Sequence, residues 1–265
     1  MSTAPYGIDL LAFAPHPDDV ELFCGGVLIR SAQLGHATAV VDLTRGELAS
    51  HGTPEERALE AEAASRVLGL SVRENLGLPD GFIAPWSGCA DPAGCGGASQ
   101  LARVVEVLRR RRPEIVLLPW VEERHPDHVA AGVLLTRAVF FAGLHKFKTE
   151  PASDAFVPRA LLYYEMRQRM RPSFIVDTSA AWERKAQAIA CHASQMTRRP
   201  GEAPTLISSS RALGAIEARD RYHGSMIGAE FGEALRSAAT LGVVDAVAHF
   251  RANPFGEAHA FEGLL

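Results

Sequence analysis

Residues 8–14 read IDLLAFA, and the polar stretch PHPDDVE follows them directly at positions 15–21. A short apolar run of this kind is typical of a buried parallel strand. The polar stretch places one histidine and two adjacent carboxylates where the strand ends and a helix begins. In open parallel sheets, ligands bind beyond the carboxyl ends of the strands. The segment 8–21 therefore predicts the first strand of an α/β fold and part of a functional site at its end.

The same alternation of apolar run and helix-like segment continues along the chain. It predicts further strands at 37–43, 72–76, 114–119, 160–165 and 174–177. It predicts helices at 20–34, 54–68, 100–111, 127–142, 182–196 and 208–222, the second with Thr53 as its N-cap and Pro54 in its first turn. This order favours a Rossmann-like, mostly parallel sheet with helices on both faces. No repeat or clear linker divides the chain, so we predict a single domain over 1–265.

The composition excludes several classes of protein. Among 265 residues, 47% are hydrophobic and 22% charged, which is ordinary for a globular chain. The net charge of −4 does not favour a polyanion-binding protein, and no apolar run approaches the ~20 residues that span a bilayer. Residues 1–9 lack a basic signal-peptide region and the chain has four cysteines, so we expect a cytoplasmic protein with no nucleic-acid or membrane partner. The basic run at 109–112 is interpreted as a solvated helix end.

Two regions carry weaker signals. Residues 81–97 are rich in glycine, proline and small residues and are predicted to form a loop. Cys89 and Cys95 in this region are interpreted as ordinary thiols or an occasional disulfide, and Cys24 and Cys191 as helical core residues. His223 ends a polar helix that is expected to approach the site. The remaining isolated histidines, including His51 and His192, are interpreted as surface or packing residues.

A second polar cluster follows the strand predicted at 114–119. It reads RHPDH at positions 124–128, again just before a helix. Parallel strands bring their carboxyl ends to one edge of the sheet, so His125 and His128 are expected near His16 and Asp19. Each cluster alone also suits a simpler interpretation, in which Asp18 or Asp19 caps a helix and the two later histidines lie at the surface.

The residue types in the two clusters indicate metal-assisted chemistry. His16 and Asp19, three residues apart in a helical first turn, and His128 form the two-histidine, one-carboxylate set of a catalytic zinc, and a non-haem iron centre uses the same set. Zinc lowers the pKa of bound water from ~15.7 to about 7. Asp18 is the candidate general base and His125 the candidate oxyanion stabiliser and proton donor to a leaving amine. Asp127 is expected to orient His125 or to raise its pKa.

With these motifs, the sequence resembles the LmbE-like, or PIG-L, family of metal-dependent N-deacetylases from about residue 8 to 235. The resemblance implies a Rossmann-like fold, a catalytic zinc and removal of acetyl groups from N-acetylglucosamine-containing molecules. It implies metal ligation by His16, Asp19 and His128, with Asp18 as base and His125 as acid. It further implies that Arg57 and Asp80 hold sugar hydroxyls and that the protein is a homo-oligomer.

Within the family, the chain looks most like the N-acetylglucosaminyl-malate deacetylases of bacillithiol synthesis. The similarity lies in DLTRGEL at 42–48, GT at 52–53, LPDG at 78–81, AGLHKF at 142–147, PSFIVDTS at 172–179, ASQ at 193–195 and EARDR at 217–221. Arg45, Arg124 and Arg219 are candidates to bind the malate carboxylates. Glu123 stands where some deacetylases of the family carry a tyrosine, so Tyr222 is the candidate for that role.

Three hypotheses remain open at this point. The first is zinc-dependent deacetylation of N-acetylglucosaminyl malate. The second keeps the reaction and changes the substrate to a mycothiol-type precursor, a thiol conjugate or a secondary metabolite. The third is a Rossmann-like protein that binds metal or nucleotide without catalysis, although PHPD at 15–18 replaces the glycine-rich turn that a nucleotide requires.

Overall fold

The structure, a computed structural model, describes residues 6–84 and 100–252. Seven strands in these residues form one sheet in the order β3-β2-β1-β4-β5-β7-β6. In chain order they are β1 Ile8–Ala14, β2 Thr38–Thr44, β3 Val72–Leu78, β4 Pro113–Pro119, β5 Ala160–Tyr164, β6 Phe174–Asp177 and β7 Gly232–Ser237. Neighbours from β3 to β5 are parallel, whereas β7 runs antiparallel to both β5 and β6. The predicted mostly parallel α/β sheet is confirmed.

The helices of the described residues begin and end close to the predicted positions in the first half of the chain. They are α1 Asp19–Phe23, α2 Gly25–Gln33, α3 Pro54–Leu68, α4 Gln100–Arg111, α5 Pro126–Ala142, α6 Trp182–Ala190, α7 Ala193–Met196, α8 Ala212–Ser225 and α9 Ala246–Ala252. Thr53 caps α3 as predicted, since its hydroxyl accepts the N–H of Glu56 at 3.1 Å.

Successive side chains of β1 enter two different cores, one on each face of the sheet. Leu11 and Phe13 pack with residues of α4 and α5. Leu10, Ala12 and Ala14 pack on the other face with residues of α1, α2 and α6. This alternation follows from the two-residue period of a strand, and it explains why β1 is apolar along nearly its whole length.

The strand order reverses at β1, and this reversal positions the site. β1 pairs with β2 on one side and with β4 on the other, all three parallel. The loops that leave β1 and β4 therefore diverge at the same edge, which is where open α/β sheets bind ligands. The loops after β2 and β3 begin at that edge as well, because these two strands run parallel to β1.

Two helices predicted as continuous are broken. The helix expected at 20–34 divides at Cys24, where φ is −141°, and α2 begins at a glycine pair. The break leaves the N–H groups of Gly26 and Val27 free to donate to the Glu233 carboxylate at 2.9 and 2.7 Å. A second break separates α6 from α7, and α8 covers 212–225 rather than 208–222.

The interpretation of the basic run at 109–112 is wrong for Arg109, which is buried rather than solvated. Its guanidinium donates to the carbonyl oxygens of Ala142 at 3.0 Å and Leu144 at 2.7 Å. These carbonyls lie at the end of α5, where the helix itself offers no partner. Arg110 and Arg111 pair with Glu74 instead.

Some predictions fall outside the described residues. Cys89 and Cys95 lie there, as does most of the loop predicted at 81–97, since residues 85–99 are not described. Cys24 is buried in the core as predicted, whereas Cys191 is only partly buried. Among the described helices, none combines the length and the apolar character that crossing a bilayer requires.

Candidate metal centre

His16, Asp19 and His128 converge at the shared edge of β1 and β4. Asp19 Oδ2 lies 3.3 Å from His16 Nδ1 and 3.4 Å from His128 Nε2. All three side chains are buried, and one ligand atom from each lies within 4.8 Å of the others. Tetrahedral ligands held at ~2.0–2.1 Å from a zinc ion lie about 3.3–3.5 Å apart, so the observed spacing fits such an ion.

The loop before α1, rather than a helical turn, brings His16 and Asp19 together. Asp19 is the first residue of α1, and its Oδ2 accepts the backbone N–H of His16 at 2.9 Å. The expectation that both residues lie in a helical first turn is therefore wrong. Asp19 instead closes a loop over the end of β1, which points its carboxylate at the histidine ring.

The far side of the His16 ring is held by carboxylates. His16 Nε2 lies 3.1 Å from Asp80 Oδ1 and 3.5 Å from Asp127 Oδ2. A carboxylate that accepts the proton of one ring nitrogen leaves the other nitrogen free to bind a metal, which is the usual support of a metal-bound histidine. The Asp80 side chain was expected on sugar hydroxyls. It lines the cavity, but one oxygen holds His16 and the other accepts the N–H of Leu48 at 2.8 Å.

Asp18 has a strained backbone and an elevated pKa. Its φ of 152° and ψ of −23° are unusual for a residue with a side chain, and its carboxylate makes no capping hydrogen bond to α1. The simpler interpretation, in which the Asp18 side chain caps the following helix, is thus wrong. Burial raises the pKa of Asp18 to about 6, against the lowering effect of the Arg57 guanidinium at 3.4 Å. This places a weak base beside the cluster.

Arg57 is fixed by backbone oxygens. Its guanidinium donates to Pro17 O at 3.0 Å and to Gly46 O at 3.3 Å, and the side chain is buried. Gly46 has a φ of 70°, and a side chain there would collide with the guanidinium. Arg57 also lines the cavity. Its guanidinium contacts Asp18 and is placed where a sugar in the cavity would meet it, so the expected role in sugar binding stays a prediction.

The protonation states of Asp19 and His128 suit a metal, whereas the carboxylates of Asp127, Asp19 and Asp80 raise the pKa of His16, so that metal binding there would displace a proton. Burial alone would raise the pKa of Asp19, but His128 and His16 hold it well below its usual range. Burial lowers the pKa of His128 to about 4, so that its imidazole is neutral. Metal ligands are needed in these forms, as an ionised carboxylate and a neutral imidazole.

His125 is the N-cap of α5, and its neighbour orients it through the backbone. Its Nδ1 accepts the N–H of Asp127 at 3.2 Å, and its ring stacks on that of His128. Burial, aided by His16, lowers the pKa of His125. The neutral ring therefore carries its proton on Nε2. Asp127 thus orients His125 as expected, but through its backbone, because its carboxylate accepts the N–H of Gly81 at 2.7 Å. The charge of Asp127 also raises the pKa of His125, against the larger lowering by burial.

A cavity of about 480 Å³ opens from this cluster to solvent. Of the three arginines predicted to bind the malate carboxylates, Arg124 lines it and Arg45 and Arg219 do not. Arg45 pairs with Glu55 at the surface, and Arg219 pairs with Asp220. Tyr222 does not line it either. His223, expected to approach the site, is buried in a pair with Glu165 at 2.8 Å.

Sequence reasoning missed three residues near the cluster. Arg167 and Gln195 line the cavity. His192 is fully buried behind the cluster, 3.4 Å from Glu21, and neither of its ring nitrogens has a hydrogen-bond partner among the described residues. For Gln195 the sequence offered one signal, the ASQ segment at 193–195. Arg167 and His192 had none, since the loop and helix break that place them were not predicted.

Three comparisons agree with this geometry. The family model described as GlcNAc-PI de-N-acetylase, PIG-L, matches residues 11–139. The diacetylchitobiose deacetylase of Thermococcus kodakarensis is 28% identical over 86% of this chain and 82% of its own length. The 1D-myo-inositol 2-acetamido-2-deoxy-alpha-D-glucopyranoside deacetylase of Kineococcus radiotolerans is 30% identical over 48% of this chain, which spans 43% of that enzyme.

A solved structure extends the likeness over nearly the whole described fold. The crystal structure of a conserved protein from Thermus thermophilus superimposes with a TM-score of 0.77 at 38% identity, covering 89% of this chain and 97% of the other. The shared sheet, the paired motifs at the ends of β1 and β4 and the matched family model lead to one assignment. The chain belongs to the PIG-L, or LmbE-like, family.

Proposed function

We propose that the protein is a metal-dependent hydrolase that removes the acetyl group from an N-acetylglucosamine-containing small molecule. One observation carries the proposal: His16, Asp19 and His128 converge on one point, with the strained, weakly basic Asp18 beside them. The deacetylases to which the chain is similar support it.

The chain's own residues supply the proton transfers. A zinc ion held by His16, Asp19 and His128 would supply Lewis-acid activation of water and of the amide carbonyl. Asp18 accepts a proton from the water that attacks the carbonyl carbon. His125 donates a hydrogen bond from Nε2 to the oxygen that gains charge. As the carbon–nitrogen bond breaks, the proton returns from Asp18 to the leaving nitrogen, giving acetate and an amine.

This scheme changes one expected role. His125 was expected to protonate the amine. Its Nδ1 already accepts the Asp127 N–H, which disfavours the doubly protonated ring that a proton donor requires. Asp18, whose pKa burial raises to about 6, is the better proton carrier.

The favoured substrate is N-acetylglucosaminyl malate, converted to glucosaminyl malate in bacillithiol synthesis. Arg124 and Arg167 line the cavity and suit the malate carboxylates, as the guanidinium binds planar carboxylates well. A mycothiol-type precursor is the alternative, because the inositol glycoside deacetylase is among the relatives. Zinc is the proposed metal, with ferrous iron accepting the same ligands. A cytoplasmic location, a single domain over 1–265 and homo-oligomerisation stay predictions.

Amine release from the zinc-loaded protein tests the proposal. N-acetylglucosaminyl malate, the inositol glycoside and free N-acetylglucosamine would be compared under the same conditions. A strong preference for the malate glycoside is expected. Preference for the inositol glycoside would instead support a mycothiol-type precursor as the substrate. No release from any of them, with zinc shown to be bound, would contradict deacetylation of these sugars and favour the binding-only hypothesis.

A further inference from the structure

A second cavity adjoins the first, and it carries positive charge. It has a volume of about 430 Å³ and lies between α1, the turn after β5 and the start of α8. Five residues line both cavities: Leu22, Phe23, Arg167, Leu206 and Ile207. The two spaces are therefore neighbouring compartments of one groove, and Arg167 lies at their junction.

Three arginines of the second cavity have no counterion among the described residues. Arg167, Arg169 and Arg211 line it, and each is exposed. No carboxylate of residues 6–84 or 100–252 lies within ion-pair distance of any of the three. Arg219, a fourth arginine in the wall, is already paired with Asp220 at 2.7 Å. Three uncompensated guanidinium groups around one concave space form a site for an anion.

The acidic residue of this wall, Glu165, is engaged elsewhere. It is buried, with one oxygen 2.8 Å from His223 Nε2 and the other accepting the N–H of Met170 at 2.9 Å. Glu123 accepts the N–H groups of Arg167 and Gln168, at 2.6 and 3.1 Å. These two carboxylates shape the turn that presents Arg167 and Arg169.

The position of Arg169 is also fixed by a ring. Its guanidinium lies 4.1 Å from the centroid of the Tyr222 ring, a cation–π contact. The rest of the cavity is apolar, with Phe23, Ile207 and Ile216 among its lining. An occupant of this cavity therefore has an apolar portion and an anionic end.

We propose that the second cavity binds an anionic group, a carboxylate or a phosphate, carried on the aglycone of the amino-sugar substrate. The inference rests on the proposed function for the sugar in the first cavity. It adds that the substrate extends past Arg167 and that Arg167, Arg169 and Arg211 together select for the anion.

Equilibrium binding tests the proposal without turnover. The probes are three glucosaminides, the amine products, with the same six-carbon aglycone ending in a carboxylate, a phosphate or a neutral carboxamide. We expect the anionic probes to bind the zinc-loaded protein about tenfold more tightly than the carboxamide, as summed exposed ion pairs allow. That difference should shrink as ionic strength rises. Comparing the carboxylate with the phosphate identifies the preferred anion.

The variant Arg169→Gln/Arg211→Gln, which spares the cavity of the sugar, should largely remove the preference for the anionic probes and leave the affinity for the carboxamide unchanged. Arg30→Gln, a single charge removal on α2 outside both cavities, is the control and should keep the preference. Equal binding of all three probes to the unmodified protein would overturn the proposal. Selective binding of the anionic probes without any deacetylation would retain the anion site and refute the proposed reaction instead.

Discussion

Two clusters of buried charged residues lie against the same sheet. The first, at the carboxyl ends of β1 and β4, contains His16, Asp19 and His128 and faces a cavity. The second lies between α6, α8 and β7, where Lys185 Nζ is 2.5 Å from both Asp220 and Glu233. Glu233 also accepts two N–H groups of α2, and Asp220 is paired with Arg219.

The two clusters differ in whether their charged atoms are satisfied by partners within the protein. In the second cluster each carboxylate has its partners within the protein, so nothing is free to bind. In the first cluster three ligand atoms point at one another across a gap that suits an ion. Buried charge alone therefore does not mark a site, whereas buried histidine and carboxylate ligand atoms that converge beside a cavity do.

The largest expected effect is that of His128→Ala. Metal and activity should be lost together, by about 10⁴-fold or more in kcat/KM, since Lewis-acid activation contributes several kcal/mol and about 1.36 kcal/mol is a factor of ten. Metal analysis and amine release would be measured on the same sample. His223→Gln, a change at an equally buried histidine, is the control and should retain metal. Full activity in His128→Ala would remove the distinction drawn between the clusters.

Asp18→Asn should keep the metal and lose activity by about 10²–10⁴-fold, the range of general base catalysis. Activity requires the ionised carboxylate, so kcat/KM of the unmodified protein should fall as pH drops through about 6. The residual activity of the variant should lack this acid limb. Unchanged turnover with metal bound would refute the base assignment.

Lys185→Met should act on stability instead. Removing one partner of a buried ion pair costs about 3–5 kcal/mol in the free energy of unfolding, because Asp220 and Glu233 lose their shared cation. Urea unfolding measures this, and the double variant Lys185→Met/Glu233→Gln should recover part of the loss. Metal content should stay unchanged, and a parallel loss of metal would mean that the clusters are coupled.

Asp80→Asn should have the smallest effect. It removes the carboxylate that holds His16 Nε2 at 3.1 Å, and such supporting residues typically change metal affinity or activity about 10–100-fold. Zinc affinity by competition with a chelator would be the measurement. If only KM rose while zinc affinity held, Asp80 would act on the sugar, as the family resemblance implies.

The sequence predicted the first cluster well and the second not at all. HPDD at 16–19 and HPDH at 125–128 follow apolar strands, so the topology of a parallel sheet was enough to bring them together. Lys185, Asp220 and Glu233 lie on three separate elements, and β7, with the sequence GEALRS, is too polar to read as a central strand. Both neighbours of β7 are antiparallel to it, and antiparallel strands lack the continuous apolar run by which buried parallel strands are recognised.

Contacts that depend on loop geometry were also out of reach. Asp127 orients His125 as expected, but through a backbone N–H rather than its carboxylate, a difference that the sequence does not reveal. Arg109 was misinterpreted since its partners are carbonyls at the end of another helix, which no pattern of residue types reveals. Residue type predicts what a side chain is able to bind, but not which partner the fold supplies.

The backbone of Asp18 has a consequence for how this chain can change. At φ 152° glycine is the residue that the conformation favours, and an aspartate there costs of order 1–3 kcal/mol. Most substitutions at this position would keep the backbone strain and lose the carboxylate. Substitution by glycine would remove the strain, but it would also remove the base. Selection for thermal stability alone would therefore push the protein toward a better-folded but inactive chain. An aspartate that persists here in a sequence record is a sign that the chemistry is under selection.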